Sequence, residues 1–306
     1  FDAGDELPDE EPLRLHRGIY RRIVRDFNGG QPLPMTLTTY ADAPAGSGLG
    51  TSSTMVVCML QAYSEWLQLG LGEYEIAHLA FEIERLDLGM AGGKQDQYAA
   101  AFGGFNFIEF EGDRVVVNPL RVSTSIVNEL EYNLLLCFTG STRISDHIID
   151  DQTTRFQASD RSTIDGLRMQ KLLATEMKNA LVQGQLTRFG ELLDEAWTYK
   201  KMMSPRISND HIDALYEAAK DCGALGGKVT GAGGGGYMLL YCPYDCRRKA
   251  EDALEALGAE VVVGVPGRIG DACGDGGLSG GSGGGLRGGR AVTALCRSLG
   301  RGGGRG

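Results

Sequence analysis

Residues 43–54 read Ala-Pro-Ala-Gly-Ser-Gly-Leu-Gly-Thr-Ser-Ser-Thr. Glycines at alternate positions, Gly46, Gly48 and Gly50, let a backbone curl so that several N–H groups point inward. The hydroxyls of Thr51, Ser52 and Ser53 follow directly, placed to reach a phosphate oxygen or a metal. An apolar helical pattern from about 52 to 69 begins within the same stretch, and its positive N-terminal end faces the same space. Backbone donors at a helix N-terminus form an anion site suited to phosphate. For an isolated glycine pair, an ordinary strand-to-helix turn is the better reading; the row of hydroxyls favours an anion site here. The segment is not a P-loop, because Gly93-Lys94 is followed by Gln95 and Gly227-Lys228 by Val229.

A second glycine cluster, Lys228-Val229-Thr230-Gly231-Ala232-Gly233-Gly234-Gly235-Gly236, lies in the other half of the chain. Between the clusters stand two carboxylates of interest. Glu84 precedes Arg85 at the end of a helical pattern, and Asp96 lies in Gly-Lys-Gln-Asp-Gln. A hard cation needs oxygen ligands of the kind Ser52 and Glu84 supply, and a carboxylate beside an acceptor hydroxyl can orient it and take its proton. Taken alone, Glu84 also reads as a solvated helix-end charge paired with Arg85. Asp96 alone reads as a first-turn helix residue favoured by the dipole, and Lys94 reads equally as an exposed loop charge.

The elements that must position these residues follow from periodicity. Leu15, Ile19, Ile23 and Val24 share one side of a helix over 13–27, and MTLTTY (35–40) alternates as a strand. Helices are expected at 52–69, 73–84 and 95–102, then a hairpin of 105–110 and 114–117 turning at Glu111-Gly112-Asp113. A buried-type strand at 132–138 opens the second half. Helical patterns cover 145–157, 161–183, 186–203 and 209–222, and the glycine cluster leads into a strand at 237–241. A helix at 245–257 and a strand at 260–265 end the pattern. Strands with interspersed long helices predict an α+β protein, with domains at 1–125 and 126–265 and a Gly/Arg-rich tail, 266–306, read as disordered.

The 306 residues are 42% hydrophobic and 23% charged, enough to bury a core. No apolar run approaches the ~20 residues that span a bilayer, and the acidic start shows no signal peptide. A net charge of -10 argues against a nucleic-acid binder. The tail opposes that balance with six arginines (268, 287, 290, 297, 301, 305) against two aspartates. Seven scattered cysteines point to a reducing, cytoplasmic setting. Cys242 and Cys246 lack the second Cys or His pair of a zinc site.

Pro-x-Gly-x-Gly-Leu-Gly-Thr-Ser-Ser (44–53) resembles the second signature of the GHMP kinases, and the 228–236 stretch resembles their third. The resemblance covers roughly 13–265. Within the family the chain most resembles the D-glycero-D-manno-heptose 7-phosphate kinases, through His16-Arg17 to Tyr20, Ile23-Val24-Arg25-Asp26, Leu37-Thr38-Thr39-Tyr40 and Gly89 to Tyr98. This implies a two-lobed fold, with an N-terminal lobe like ribosomal protein S5 domain 2 and a ferredoxin-like C-terminal lobe. It also implies an ATP- and Mg²⁺-dependent kinase acting on a small sugar phosphate, with no nucleic-acid or membrane partner and with a homo-oligomer left open. By matching position, Pro44, Gly46, Ser47, Gly48, Leu49, Gly50, Thr51, Ser52 and Ser53 would hold the ATP phosphates. Ser52 and Glu84 would hold Mg²⁺, Asp96 would act on the acceptor hydroxyl, and Gly231, Ala232, Gly233 and Gly234 would border the acceptor. Family members also carry a front strand and a Gly-Gly-Gly-x-Asp stretch. Neither precedes Leu13, so the expectation is an N-terminally truncated form lacking part of the acceptor pocket. The alternatives are another GHMP sugar kinase, fucokinase- or galactokinase-like, and a non-catalytic nucleotide- or sugar-binding relative. The presence of both Glu84 and Asp96 favours a catalyst, since a sensor would be free to lose them.

Overall fold

The computed structural model describes residues 13–41, 43–44, 46–141, 146–262 and 293–298. The expected absence of a front strand concerns residues outside this set. The chain forms two compact units. One comprises the described residues up to 41, residues 51–104 and the strand at 293–298; the other comprises the described residues of 43–50, with 105–141 and 146–262. This grouping cuts the chain differently from a boundary at 125/126, because the hairpin after residue 105 and the glycine loop both belong to the second unit.

The first unit is mostly helical. Helix α1 (Arg14–Phe27) buries Ile19 and Ile23, the stripe that its spacing dictates. Strand β1 (Met35–Tyr40) alternates half-buried Met35, Leu37 and Thr39 with exposed Thr36, Thr38 and Tyr40. Helix α2 (Thr51–Leu67) buries Val56, Val57, Met59, Leu60 and Tyr63. It packs against α1, α3 (Glu73–Phe81) and α4 (Gln95–Phe102). Each such side chain removed from water contributes about 1.5–3 kcal/mol. Helix α3 starts where Gly72 N–H donates to Glu75 Oε2 at 2.7 Å, a carboxylate at the positive end of the helix.

Beyond Phe81 the helix does not continue in α form to 84. Residues Glu82–Asp87 are a π-helical turn, with Leu88 N–H donating to the Ile83 carbonyl at 2.9 Å. Such widened turns occur mostly as single insertions in helices, often at functional sites. The period of the sequence does not reveal it, because apolar residues still recur at helix-like spacing.

In the second unit, hairpin strands β2 (Asn106–Glu111) and β3 (Arg114–Pro119) pair antiparallel around Gly112, whose φ is +59°. The expected strand at 132–138 is shorter. Helix α5 (Thr124–Asn133) comes first, capped by Ser123 Oγ accepting from Ile126 N–H, and β4 spans Leu134–Phe138. Helices α6 (Asp146–Gln157), α7 (Arg161–Val182), α8 (Leu186–Lys201) and α9 (Asp210–Asp221) follow. Strands β5 (Gly226–Val229) and β6 (Tyr237–Tyr241), helix α10 (Tyr244–Ala256) and strand β7 (Glu260–Val262) complete a four-stranded antiparallel sheet of order β5-β6-β4-β7. Counting these strands in chain order gives 2-3-1-4, the ferredoxin-like arrangement. Leu135, Cys137, Met238, Leu240 and Val229 of the sheet form one core with Ile212, Leu215 and Ala219 of α9 and Ala250 and Leu254 of α10. Strand β5 escapes the sequence pattern because it begins with two glycines. The structure gives the reason: a Cβ at Gly226 would stand 2.5 Å from the Asp194 backbone nitrogen on α8, so helix and strand meet backbone to backbone.

Within the stretch 266–306, read from composition as a disordered tail, the structure describes residues 293–298. Thr293–Ser298 (TALCRS) forms strand β8 in the first unit, antiparallel to β1 with Met35 opposite Ser298 and Tyr40 opposite Thr293. These residues are an unbroken non-glycine run within the Gly-rich tail, and an exposed strand edge is a template for such pairing. Residues 263–292 and 299–306 lie outside the described residues.

Candidate active site

The chemistry-bearing residues fall into one constellation in each unit. In the first unit the focus is Glu84, on the π-helical turn. It is neither solvated nor paired with Arg85, as a helix-end charge would be; it is fully buried. Its Oε1 accepts from Ser52 Oγ at 3.0 Å and its Oε2 from Ser53 Oγ at 2.7 Å. Gln97 Nε2 also donates to Oε2. Three elements converge on this carboxylate: the first turn of α2, the π-helical turn and the first turn of α4. A buried carboxylate without such donors would cost several kcal/mol. Arg85 instead donates to the Gly93 carbonyl at 3.1 Å, tying down the glycine turn before α4.

Asp96 is half-buried in the first turn of α4, where Gln95 Nε2 reaches its Oδ1 at 3.3 Å. Its chain neighbour Gln97 is fully buried and donates to Glu84, so Asp96 and a partner of Glu84 leave the same helical turn. Lys94 is not a free loop charge, since its ammonium lies 5.2 Å from the Phe81 ring centroid, a cation–π distance.

The donor set around Glu84, one carboxylate and two hydroxyls, is entirely hard oxygen. It fits a cation such as Mg²⁺ that draws its remaining ligands from phosphate and water. Among the described residues, no group of three or more His, Cys, Asp or Glu comes together that could hold a metal unaided. Among the described residues the buried Gln97 Oε1 has no hydrogen-bond partner.

In the second unit the glycine loop interlocks with the second glycine cluster through backbone. Tyr237 N–H donates to the Ser47 carbonyl at 3.1 Å, and Ser47 N–H to the Pro44 carbonyl at 3.3 Å. Gly48, at φ +77°, and Gly231, at φ +60°, touch: a Cβ at Gly231 would lie 2.8 Å from Gly48 Cα, and one at Gly48 would lie 2.8 Å from the Thr230 carbonyl oxygen. No other residue fits at either position. Ser47 is buried and Leu49 exposed, while Gly50 leads straight into α2 and its hydroxyls. Of the second cluster, Gly234 N–H is committed to the Ile207 carbonyl at 2.7 Å and Gly236 N–H to that of Ser141 at 2.7 Å. These two glycines therefore shape the turn and do not present free donors.

Sequence reasoning missed two residues. Gln97 carries no charge and follows the more conspicuous Asp96, and its partner lies 13 positions away. Lys200, at the end of α8, is buried, and its ammonium donates to the Val229 carbonyl at 3.2 Å and the Gly231 carbonyl at 2.5 Å. Burial, with the like charge of Lys228 behind it, pulls Lys200 down to about 7. Burial also lowers Lys228. Burial raises the Cys137 and Cys242 thiols to about 12, so both pack as apolar groups rather than as nucleophiles.

Comparison with known proteins gives this arrangement a lineage. Residues 14–104 match the GHMP kinases N terminal domain and residues 177–262 the GHMP kinases C terminal domain. The chain is 45% identical over 242 residues to the D-glycero-alpha-D-manno-heptose 7-phosphate kinase of Campylobacter jejuni, covering 79% of this chain and 70% of that one. It is 31% identical to the bifunctional fucokinase/GDP-fucose pyrophosphorylase of Arabidopsis thaliana, covering 78% of this chain but only 24% of that much longer protein. A crystal structure of a D-glycero-D-manno-heptose 1-phosphate kinase from Bacteroides thetaiotaomicron superposes with a TM-score of 0.68 at 40% identity, over 84% of this chain and 72% of that one. Both glycine signatures lie in segments that match, and the chain belongs to the GHMP kinases, a family of ATP-dependent phosphotransferases acting on alcohol groups.

Proposed function

We propose that this kinase transfers the γ-phosphate of ATP to the anomeric hydroxyl of D-glycero-D-manno-heptose 7-phosphate. The observation that carries the reading is the convergence of Ser52, Ser53 and Gln97 on buried Glu84, next in the chain to Asp96. Phosphoryl transfer needs little covalent help from a protein; it needs positioning and charge neutralisation. In this reading Pro44, Gly46, Ser47, Gly48, Leu49, Gly50, Thr51, Ser52 and Ser53 hold the nucleotide phosphates with backbone donors and hydroxyls. Ser52 and Glu84 hold Mg²⁺, which when bound neutralises charge on the β- and γ-phosphates. Asp96 accepts the proton of the attacking hydroxyl. Gly231, Ala232, Gly233 and Gly234 border the acceptor as a shaped wall.

The heptose assignment rests on the relatives. Identity is higher, and shared over most of both chains, with the protein named for heptose 7-phosphate, and lower with the fucokinase. The test is ADP release from Mg-ATP against heptose 7-phosphate, heptose 1-phosphate, L-fucose, D-galactose and mevalonate. Turnover with heptose 7-phosphate well above the others is expected, and equal or greater turnover with L-fucose would overturn the assignment.

A further inference from the structure

Gln97 is a residue without an assigned task at the most constrained point of the first unit. Its side chain is fully buried. A carboxylate oxygen can only accept hydrogen bonds, so the amide nitrogen of Gln97 must face Glu84 and the amide oxygen must point away. The donors on Glu84 are unevenly shared. Oε2 accepts from both Ser53 Oγ and Gln97 Nε2, which uses the two lone-pair directions of one carboxylate oxygen. Among the described residues Oε1 accepts from Ser52 Oγ alone. Ser52 is itself a half-buried hydroxyl that can rotate and turn a lone pair toward a cation.

We infer that Gln97 is a positioning residue for the cation carboxylate: it fixes Glu84 through Oε2 so that Oε1, the oxygen with acceptor capacity left, is the one that meets the metal together with Ser52. The inference rests on the proposed role of Glu84 and adds to it an orientation and the residue that imposes it. Metal-ligating carboxylates need such outer partners, because an unrestrained carboxylate loses entropy each time it binds. The same bond performs a second task. Asp96 and Gln97 are successive residues in the first turn of α4, so their side chains leave the helix about 100° apart. Anchoring Gln97 on Glu84 therefore sets where Asp96 stands relative to the cation carboxylate. One amide braces both the cation ligand and the group proposed to take the acceptor's proton.

The test measures Mn²⁺ affinity by electron paramagnetic resonance in the presence of a non-hydrolysable ATP analogue, with Mn²⁺ replacing Mg²⁺. The parent chain is compared with Gln97→Met, which keeps the volume and loses the donor, with Gln97→Asn, which keeps the amide but is one methylene short, and with Glu84→Gln. Loss of an outer-shell partner is expected to weaken metal binding about 10–100-fold. Metal-free affinity for the analogue should stay within about two-fold, a split that loosened packing alone would not produce. If Glu84→Gln binds Mn²⁺ like the parent, Glu84 is not a ligand and the proposed site itself fails. If Glu84→Gln is impaired while a folded Gln97 variant binds Mn²⁺ like the parent, the role of Gln97 alone is overturned. Loss of the fold in both Gln97 variants would assign Gln97 to the architecture of the unit and also overturn the inference.

Discussion

The Glu84 constellation and the Gly48–Gly231 interlock solve the same problem, holding groups still, by opposite means. Around Glu84 the fixed points are side chains on three helical segments, joined by charge-assisted hydrogen bonds. Around Gly48 the fixed points are backbone atoms of two loops too close together to admit a Cβ. The first arrangement is defined by chemical identity, so replacing one group should change binding and catalysis more than folding. The second is defined by shape, so replacing one residue should change folding first.

The sharpest break in that comparison should come from Asp96→Asn. Asp96 is half-buried and its bond from the Gln95 amide is long and exposed, at 3.3 Å, so thermal stability should hardly move. Its kcat should fall by about 10²-fold or more, the usual scale for a positioned acid–base group, with ATP affinity little changed. Survival of turnover within a few-fold would make Asp96 structural.

Gly48→Val tests the shape side. The substituent would meet Thr230 and force a β-branched residue to φ +77°, costing about 2–4 kcal/mol. A drop in the melting temperature should therefore accompany any loss of ATP binding. Unchanged stability with lost ATP affinity would mean that Gly48 serves the phosphates and not the interlock.

Lys200 allows the shape side to be followed by pH. Its ordinary value is 10.5 and burial lowers it to about 7 in the folded chain. Between those values the unfolded chain holds a proton that the folded chain has released, so stability should rise with pH from about 7 toward 10 and lose that slope below 7. In Lys200→Met the slope should flatten, as followed by chemical denaturation across pH 6.5–9.5; an undiminished slope would assign it to other groups.

A modest effect on both stability and binding should come from Ser52→Ala. It removes one of three donors to Glu84, worth about 1 kcal/mol, yet should weaken nucleotide binding in Mg²⁺ more than in its absence. Calorimetry under both conditions measures the difference.

The two regions were also unequally legible in the sequence. Both glycine clusters could be read directly, because a residue chosen for its missing side chain marks its own position. Helix α1 and strand β1 were equally plain, their apolar periods matching the faces they bury, and the hairpin was marked by Gly112 at its turn. Chemistry on side chains was half-legible. Glu84 and Asp96 stand out by charge, but Gln97 gains its meaning only from a partner across the unit, and the π-helical turn that carries Glu84 leaves the local period unchanged. Strand β5 was hidden because its glycines answer to the approach of α8, and α5 because its short apolar stripe runs into β4. Strand β8 was missed because composition describes a segment as a whole, and six residues within a Gly-rich tail suffice for a strand.

The most direct test of the account is calorimetric binding of a non-hydrolysable ATP analogue, with and without Mg²⁺, to the parent chain and to Glu84→Gln. Mg²⁺ should tighten binding to the parent, and that increment should vanish in the variant while metal-free binding stays near the parent value. An equal Mg²⁺ increment in both proteins, with the variant folded, would contradict the claim that Glu84 is the cation ligand around which this site is built.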